Sequence, residues 1–246
     1  MDPSLFTTFA AVERSHWWFT ARREIVLSVA DRFVPSGAPI LDVGCGTGFF
    51  LEGARPRYDA WGVDPSPVAV ELCRARGLER VVQASAYDLS ALAGRSFEAV
   101  FFLDVIEHLD DDARALREAL RVLTPGGLAI VTVPAFMFLW SEHDVVNEHR
   151  RRYRRPQLAA LLRAVGFAVE RLTYFNFFLF PLATADRLAS RLARRRVAAE
   201  LTVPRPWVNR LMGDAFRSER HRVADPARGA FPFGLSLLAV GRKPSI

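Results

Sequence analysis

A short apolar run, Ile40-Leu41-Asp42-Val43, leads straight into Gly44-Cys45-Gly46-Thr47-Gly48, and a helix-compatible stretch follows. No other feature constrains the fold of this chain as strongly. Glycines at alternate positions let the backbone turn sharply after a strand and approach a ligand within van der Waals distance. The free N–H groups of the next helix favour an anionic group, as at dinucleotide sites. The Gly-x-Gly-x-Gly spacing is tighter than the Gly-x-Gly-x-x-Gly of NAD and FAD sites. Asp64 closes the next apolar run, where a carboxylate can accept two hydrogen bonds from a ribose diol. Alone, with Pro65 behind it, Asp64 would read as a strand-end turn acid; coupled to the glycine loop, the ribose role is the better reading.

Downstream, short apolar runs alternate with helical segments, the pattern of an α/β chain whose parallel sheet is covered on both faces. Strands are predicted at 39–43, 60–64, 80–85, 99–104 and 128–134, a sixth near 167–176 and a seventh at 235–242. Helices are predicted at 48–55, 67–76, 111–123 and 156–165. Asp111 and Asp112 suit the first turn of the third, and Pro125-Gly126-Gly127 stops it. This divides the chain into an N-terminal helical cap (1–38), a core (39–176), a helical insertion (177–234) and a last core strand (235–246). The insertion is far longer than a hairpin needs, so two or three helices are expected in it.

The runs ILDVGCGTG (40–48), WGVD (61–64), FEAVFFLDVIEHL (97–109) and LTPGGLAIVTVP (123–134) together resemble the ordered motifs of class I S-adenosylmethionine-dependent methyltransferases, and the segment 140–153 resembles one in a bacterial subgroup acting on small molecules. The resemblance covers roughly residues 38–135. It implies a Rossmann-like, seven-stranded, mostly parallel sheet with an antiparallel last strand, and S-adenosylmethionine as cofactor. On the matching positions, Gly44, Cys45, Gly46 and Gly48 would line the methionine half, and Asp42 would reach its amino group. Asp64 would hold the ribose, with Pro65 and Ser66 at the adenine edge. Leu103, Asp104 and Val105 would pass beside the sulfonium. The family often has an acidic residue after the third strand for the adenine amino group. Ser85 stands there instead, so Ser85, the backbone of Ala86, or Asp88 would have to serve.

The N-terminal cluster Trp17-Trp18-Phe19 with Arg22 and Arg23 suits a lid, Trp18 covering the cofactor and Arg22 pairing with its carboxylate; packing of the first helix on the sheet explains the rings equally well. After the fifth strand, Trp140-Ser141-Glu142-His143-Asp144 and His149-Arg150-Arg151-Arg152-Tyr153 should overhang the acceptor. His143 or His149 is a candidate general base, with Tyr153 positioning it. His143, Asp144 and Arg152 fit a hydrogen-bonded loop lock as well, and Glu107-His108 after the fourth strand poses the same choice, making His108 a further candidate. A metal set of His143, Asp144 and His149 has no fixed tetrahedral spacing and no nearby cysteine, so no metal is expected.

Half of the residues are hydrophobic, with 19 Phe and five Trp, which argues against disorder. The two cysteines give no disulfide framework and suggest a reducing, cytoplasmic setting. The start Met1-Asp2-Pro3-Ser4 lacks signal-peptide order, and no apolar run is long enough to span a bilayer. The net charge of +6 is nearly all arginine, Lys243 being the sole lysine, which fits genomic base composition. Phe175, Phe178, Leu179, Leu182, Leu188 and Leu192 recur at helical spacing, followed by Arg187, Arg191, Arg194, Arg195 and Arg196. A helix of this kind suits peripheral contact with the inner face of a membrane or cover for an apolar substrate, and equally ordinary packing or a homodimer contact. The expected activity is methyl transfer to O or N of a small, hydrophobic or lipid-like acceptor. The alternatives are an RNA or protein methyltransferase docking on the basic half, and a non-catalytic scaffold. Nucleic acid is not expected, because no Asn-Pro-Pro-Tyr-type motif follows the fourth strand.

Overall fold

The computed structural model describes residues 3–192 and 202–245. Helices α1 (Pro3–Val12) and α2 (Trp17–Phe33) precede β1 (Pro39–Val43), α3 (Phe49–Ala54), β2 (Asp59–Asp64), α4 (Pro67–Ala75) and β3 (Val81–Gln83). Then come β4 (Phe97–Leu103), α5 (Asp112–Val122), β5 (Leu123–Pro134), α6 (Glu142–Val146), α7 (Arg155–Val165) and β6 (Ala168–Phe175). The chain ends with α8 (Phe180–Leu192), α9 (Pro206–Arg217), α10 (Arg220–Ala224) and β7 (Ser236–Arg242). The seven strands form one sheet in the order β3-β2-β1-β4-β5-β7-β6. β1 to β5 pair in parallel, and β7 runs antiparallel to both β5 and β6. The expected α/β architecture is therefore present.

The central strands read as near-continuous apolar runs because both faces are covered. Phe101, Phe102, Val100, Ile130 and Val131 are fully buried. Strand order reverses between β1 and β4, and in open α/β sheets ligands bind in the crevice this opens at the strand C-termini. The glycine loop sits at that point.

Several boundaries differ from expectation, two of them for local reasons. β3 is shorter than 80–85, because Ser85 and Asp88 close a tight turn in which Ser85 Oγ accepts the Tyr87 N–H (3.2 Å). β5 begins at Leu123 and not at 128: Leu123 pairs with Phe97, and the ladder slips before Ala99 meets Leu128. Pro125-Gly126-Gly127 thus lies inside an irregular strand, while Asp111 caps α5 by accepting the Arg114 N–H (2.9 Å).

The cap and the insertion, read as separate elements, share one layer. Trp17 donates its N–H to Asn209 Oδ1 (2.9 Å), Asn209 Nδ2 donates to the Ser15 carbonyl (2.8 Å), and Arg217 pairs with Glu24 (2.8 Å). The Trp17 ring meets Phe216 edge-on. On α8, Leu182 is exposed, as is Phe178 just before it; Arg194, Arg195 and Arg196 lie outside the described residues. Among the described residues, no helix is long and apolar enough to cross a membrane.

Glu219, between α9 and α10, is 1% exposed and anchors this layer to the end of β6. Its Oε1 accepts the N–H groups of Phe177 (2.8 Å) and Phe178 (3.1 Å), while Oε2 has no partner among the described residues. Burial pushes its carboxyl up to about 7, against an ordinary value of 4.5, despite those N–H groups. For an acid raised on folding, the native state holds the proton more tightly. The associated stability is therefore present below pH 4.5 and is lost as pH rises through 7. Glu219→Gln keeps an acceptor for both N–H groups and removes the titration. Urea unfolding at pH 5 and pH 8 should show the fall in stability between them reduced by about 2–3 kcal/mol in the variant. Parallel pH profiles would overturn this.

Candidate functional site

The glycine loop is shaped by backbone that other residues tolerate poorly. Gly44 and Gly48 have φ of +72° and +77°. A Cβ on Gly44 would lie 2.7 Å from Val105 Cγ2, and one on Gly48 2.5 Å from Leu78 Cδ1. Val105, just after β4, therefore touches the loop after β1, as expected for a crevice between these two strands. Gly46 faces Phe6 of α1 across ordinary contact distance.

Asp64 holds the loop from β2. Its Oδ2 accepts the Gly46 N–H and its Oδ1 the Ser66 N–H, both at 2.9 Å. Burial raises its carboxyl, and these two bonds oppose the rise. Each oxygen uses one lone pair on backbone and keeps another, so a cis-diol can still donate to both. Pro65 follows, its carbonyl accepting from Gln83 Nε2 (3.0 Å).

Asp42 and Arg22 each carry a buried polar atom with no hydrogen-bond partner among the described residues. Asp42 is 2% exposed, and its Oδ1 has no partner among the described residues. Burial pushes its carboxyl up to about 8, with Arg22 opposing and Asp64 adding to the rise. Arg22 Nη2 is committed to Asp104 (2.5 Å) and to Thr132 Oγ1 (3.2 Å), which is not the free guanidinium expected of a carboxylate clamp, yet its Nε is buried without a partner. An acid oxygen on β1 and a guanidinium N–H on α2, both without partners, are the groups that a zwitterionic amino-acid end would need. Trp18 packs edge-on against Phe19, with the Arg22 guanidinium 5.1 Å from its ring centroid. Arg23 lies over Phe49 instead.

Other expected cofactor residues are placed differently. The Cys45 side chain packs with Leu51, Val70 and Cys73, so its part in the loop is played by backbone. Its thiol is raised by a hydrogen bond with Cys73 and by burial. Ser85 spends its hydroxyl within its own turn, with Ala86 buried beside it. Asp88 is turned to the Ser90 N–H (2.9 Å) and does not reach back. Leu103 and Asp104 stand half-buried at the end of β4. Asp104 adopts φ +57°, its N–H tied to the Thr132 carbonyl (3.0 Å). The sequence did not single out Glu13 and Thr47. Thr47 Oγ1 donates to Glu13 Oε2 (2.6 Å), and Glu13 also pairs with Arg76, which seats α1 on the loop.

Across the crevice lie the candidate acid–base residues. The His108 and His149 rings meet edge-to-face at 4.7 Å, and His143 stands 6.1 Å from His149. His149 Nδ1 is 2.8 Å from Asp144 Oδ1. Asp144 is fully buried and takes a fork from Arg152, Nε at 2.7 Å and Nη2 at 2.9 Å, while Arg152 Nη1 donates to the Ala135 carbonyl (3.0 Å). Burial would raise Asp144, but hydrogen bonds from His149 and Arg152 outweigh it and hold the carboxyl well below its ordinary range. Burial, with His149 nearby, pushes His108 down to about 4, so it is neutral at pH 7, while His143 is exposed. The loop lock thus exists, but with His149 in it; His143 instead contacts Asn147 (3.3 Å). Tyr153 does not position either histidine. It is buried, donates its hydroxyl to Asp112 Oδ2 (2.6 Å), and titrates upward through burial and that bond.

A group of aromatic rings gathers just after β5. Phe136 adopts φ +59°, stacks on Tyr174 at 5.0 Å, and meets Phe138 and Phe180. Left-handed backbone at a phenylalanine is strained and persists where the surroundings hold it, commonly at functional sites. Met137, Phe138 and Phe178 remain exposed. The clustering of Phe just after β5, after β6 and before β7 was the available signal.

Residues 41–131 match the family model for a methyltransferase domain. A ubiquinone biosynthesis O-methyltransferase of Xanthomonas oryzae is 38% identical over 182 residues, 66% of this chain and 75% of the relative. A probable S-adenosylmethionine-dependent methyltransferase of Mycolicibacterium smegmatis is 27% identical over 242 residues, 96% of this chain and 93% of that one. Among solved structures, an S-adenosylmethionine-dependent methyltransferase of Thermotoga maritima superposes with a TM-score of 0.58 at 21% identity, covering 97% of each chain. The chain belongs to the class I S-adenosylmethionine-dependent methyltransferases. Its cofactor is S-adenosylmethionine.

Proposed function

We propose that the enzyme methylates a hydroxyl oxygen of a small, apolar, ring-bearing acceptor that enters through a mouth formed by the aromatic rings after β5. The carrying observation is that the strained Phe136, stacked on Tyr174, directly follows β5, and that the loop after β5 also brings His149 to Glu107 and His108. A mouth of this composition strips water from a flat apolar molecule and stacks on it. The polar cluster then meets the one atom of such an acceptor that must lose a proton. The relatives named as O-methyltransferases support oxygen as the receiving atom.

The cofactor supplies a sulfonium-activated methyl group. The protein aligns the acceptor in line with it and excludes water. Asp42 and Arg22 would hold the amino-acid end, Asp64 the ribose, and the loop from Gly44 to Gly48 the intervening chain. A macromolecular acceptor would instead dock on the basic C-terminal half. Incubation with radiolabelled cofactor and separated lipid, small-molecule and RNA fractions distinguishes them. Label in an apolar, alkali-stable small product is expected; label confined to RNA or protein would overturn the reading.

Cofactor binding should also release a proton. Asp42 is protonated near pH 7 when its carboxyl sits at about 8, and pairing with an ammonium group requires the carboxylate. Affinity for S-adenosylhomocysteine should therefore rise about tenfold per pH unit from 6 to 8 and level off above. Calorimetry in buffers of different ionisation enthalpy should report about one proton released at pH 7. A pH-independent affinity, or the same slope in Asp42→Asn, would overturn it.

A further inference from the structure

Several arginines of this chain stand against carboxylates, as Arg152 does against Asp144, Arg22 against Asp104 and Arg217 against Glu24. At one cleft they do not. Between α7, the first half of β6 and the segment 226–230 lies a cleft of about 570 Å³ whose walls carry Arg155, Arg163 and Arg171. That volume falls in the range of small-molecule sites. The cleft opens at the edge of the sheet, three strand positions from β4, or about 14 Å across the sheet from the cofactor crevice.

Arg171 is 5% exposed, and its guanidinium is held by neutral carbonyls alone. Nε donates to Val223 (3.1 Å), and Nη2 donates to Arg222 (2.5 Å) and Gly229 (2.8 Å). Nη1 has no hydrogen-bond partner among the described residues and stays accessible. Burial first, and then the like charge of Arg155, press this group below the ordinary arginine value; Arg222 adds to them and Asp225 opposes. Asp225 itself faces Arg228 (3.5 Å). Glu170, the acid on the cleft wall, gives both its oxygens to Arg242. The side chains of Arg155 and Arg163 have no hydrogen-bond or ion-pair partner among the described residues. They lie on one face of α7 with Ala159 between them, about 12 Å apart along its axis. Positive charge therefore gathers around a space with no free acid to offset it, and a buried charge of this kind is unfavourable until it is paired.

A guanidinium fork matches phosphate, placing two N–H bonds on two oxygens at once. A single phosphate meets Arg155 and Arg171, which are close enough for their charges to interact, but leaves Arg163 at the far end. We propose that this cleft binds a small molecule bearing two phosphate groups, one held by Arg155 and Arg171 and the other by Arg163. Ala159, Val169 and Leu172 supply apolar wall for the skeleton that joins them. The site is separate from the methyl-transfer crevice and does not depend on which acceptor is methylated there.

The test uses the full chain saturated with S-adenosylhomocysteine, so that the crevice is filled. Calorimetry with inorganic pyrophosphate, fructose bisphosphate and inorganic phosphate is run at low salt, where charge contacts are least screened. One equivalent of pyrophosphate or of fructose bisphosphate should bind at least tenfold more tightly than phosphate and should raise Tm. Arg155→Gln combined with Arg163→Gln should weaken that binding at least tenfold, while S-adenosylhomocysteine affinity stays within twofold and shows that the variant folds. Arg117→Gln combined with Arg210→Gln removes the same charge from exposed positions outside the cleft and should leave binding within twofold. No saturable binding of either compound, equal binding of phosphate, or equal weakening in the two double variants would overturn the site. Adsorption to phosphatidylglycerol vesicles that the cleft variant loses, with no response to the soluble compounds, would also overturn it, since a lipid surface would then be the anion.

Discussion

Arg152→Ala is expected to lower stability by about 3–5 kcal/mol in urea unfolding, the range for removing one partner of a buried ion pair. Arg152 and Asp144 are 5% and 0% exposed. The guanidinium meets both carboxylate oxygens and also the Ala135 carbonyl at the end of β5. Without it, Asp144 keeps only the Ser141 and His149 contacts, and a buried carbonyl loses its donor. Arg152→Lys separates charge from shape. An ammonium restores the charge but cannot span two oxygens and a carbonyl in one plane, so it should recover less than half of the loss. Methyl transfer should fall with both variants, because Asp144 also fixes His149. A loss below about 1 kcal/mol for Arg152→Ala would show that the pair is solvated and does not lock the loop.

The parts of this molecule legible in sequence are those in which chain neighbours act together. The glycine loop is local: its positive φ values and its join from β1 to α3 are properties of consecutive residues, so residues 40–48 already imply a bound ligand. Asp64 was legible because a parallel sheet places consecutive strand ends side by side, and β2 does lie beside β1. What was not legible involves distant partners. Trp17 and Asn209, Thr47 and Glu13, and Arg22 and Asp104 join elements whose separation in sequence carries no periodic signal. Ser85 stood at the expected position, but its hydroxyl was claimed by a turn that only the short β3 reveals. On the acceptor side, His143, Asp144 and His149 were grouped because they are close along the chain. The cluster that forms takes Glu107 and His108 from the loop after β4, since β4 and β5 are adjacent parallel strands. That adjacency follows from the fold class, so pairing the loops after those two strands would have found it.

The second large effect concerns the cofactor and turns on the difference between a carboxylate and its amide. Asp64 accepts a backbone N–H at each oxygen, from Gly46 and from Ser66. In Asp64→Asn one of these positions becomes an NH2 group facing an N–H, so a near-isosteric change opposes two donors and loses the charge as well. Asp64→Ala removes both loop contacts and the two bonds it would make to the ribose diol. Hydrogen bonds to a charged group are worth about 1.5–3 kcal/mol each. Two of them make S-adenosylhomocysteine binding weaker by roughly 10²–10⁴-fold in the alanine variant. The asparagine variant should lose nearly as much, since its amide must turn away from one N–H and thereby disturb Gly46. Calorimetry on both variants, with urea unfolding to confirm that each is folded, checks this. If Asp64→Asn binds within about fivefold of wild type, Asp64 serves the turn before Pro65 and the ribose is held elsewhere.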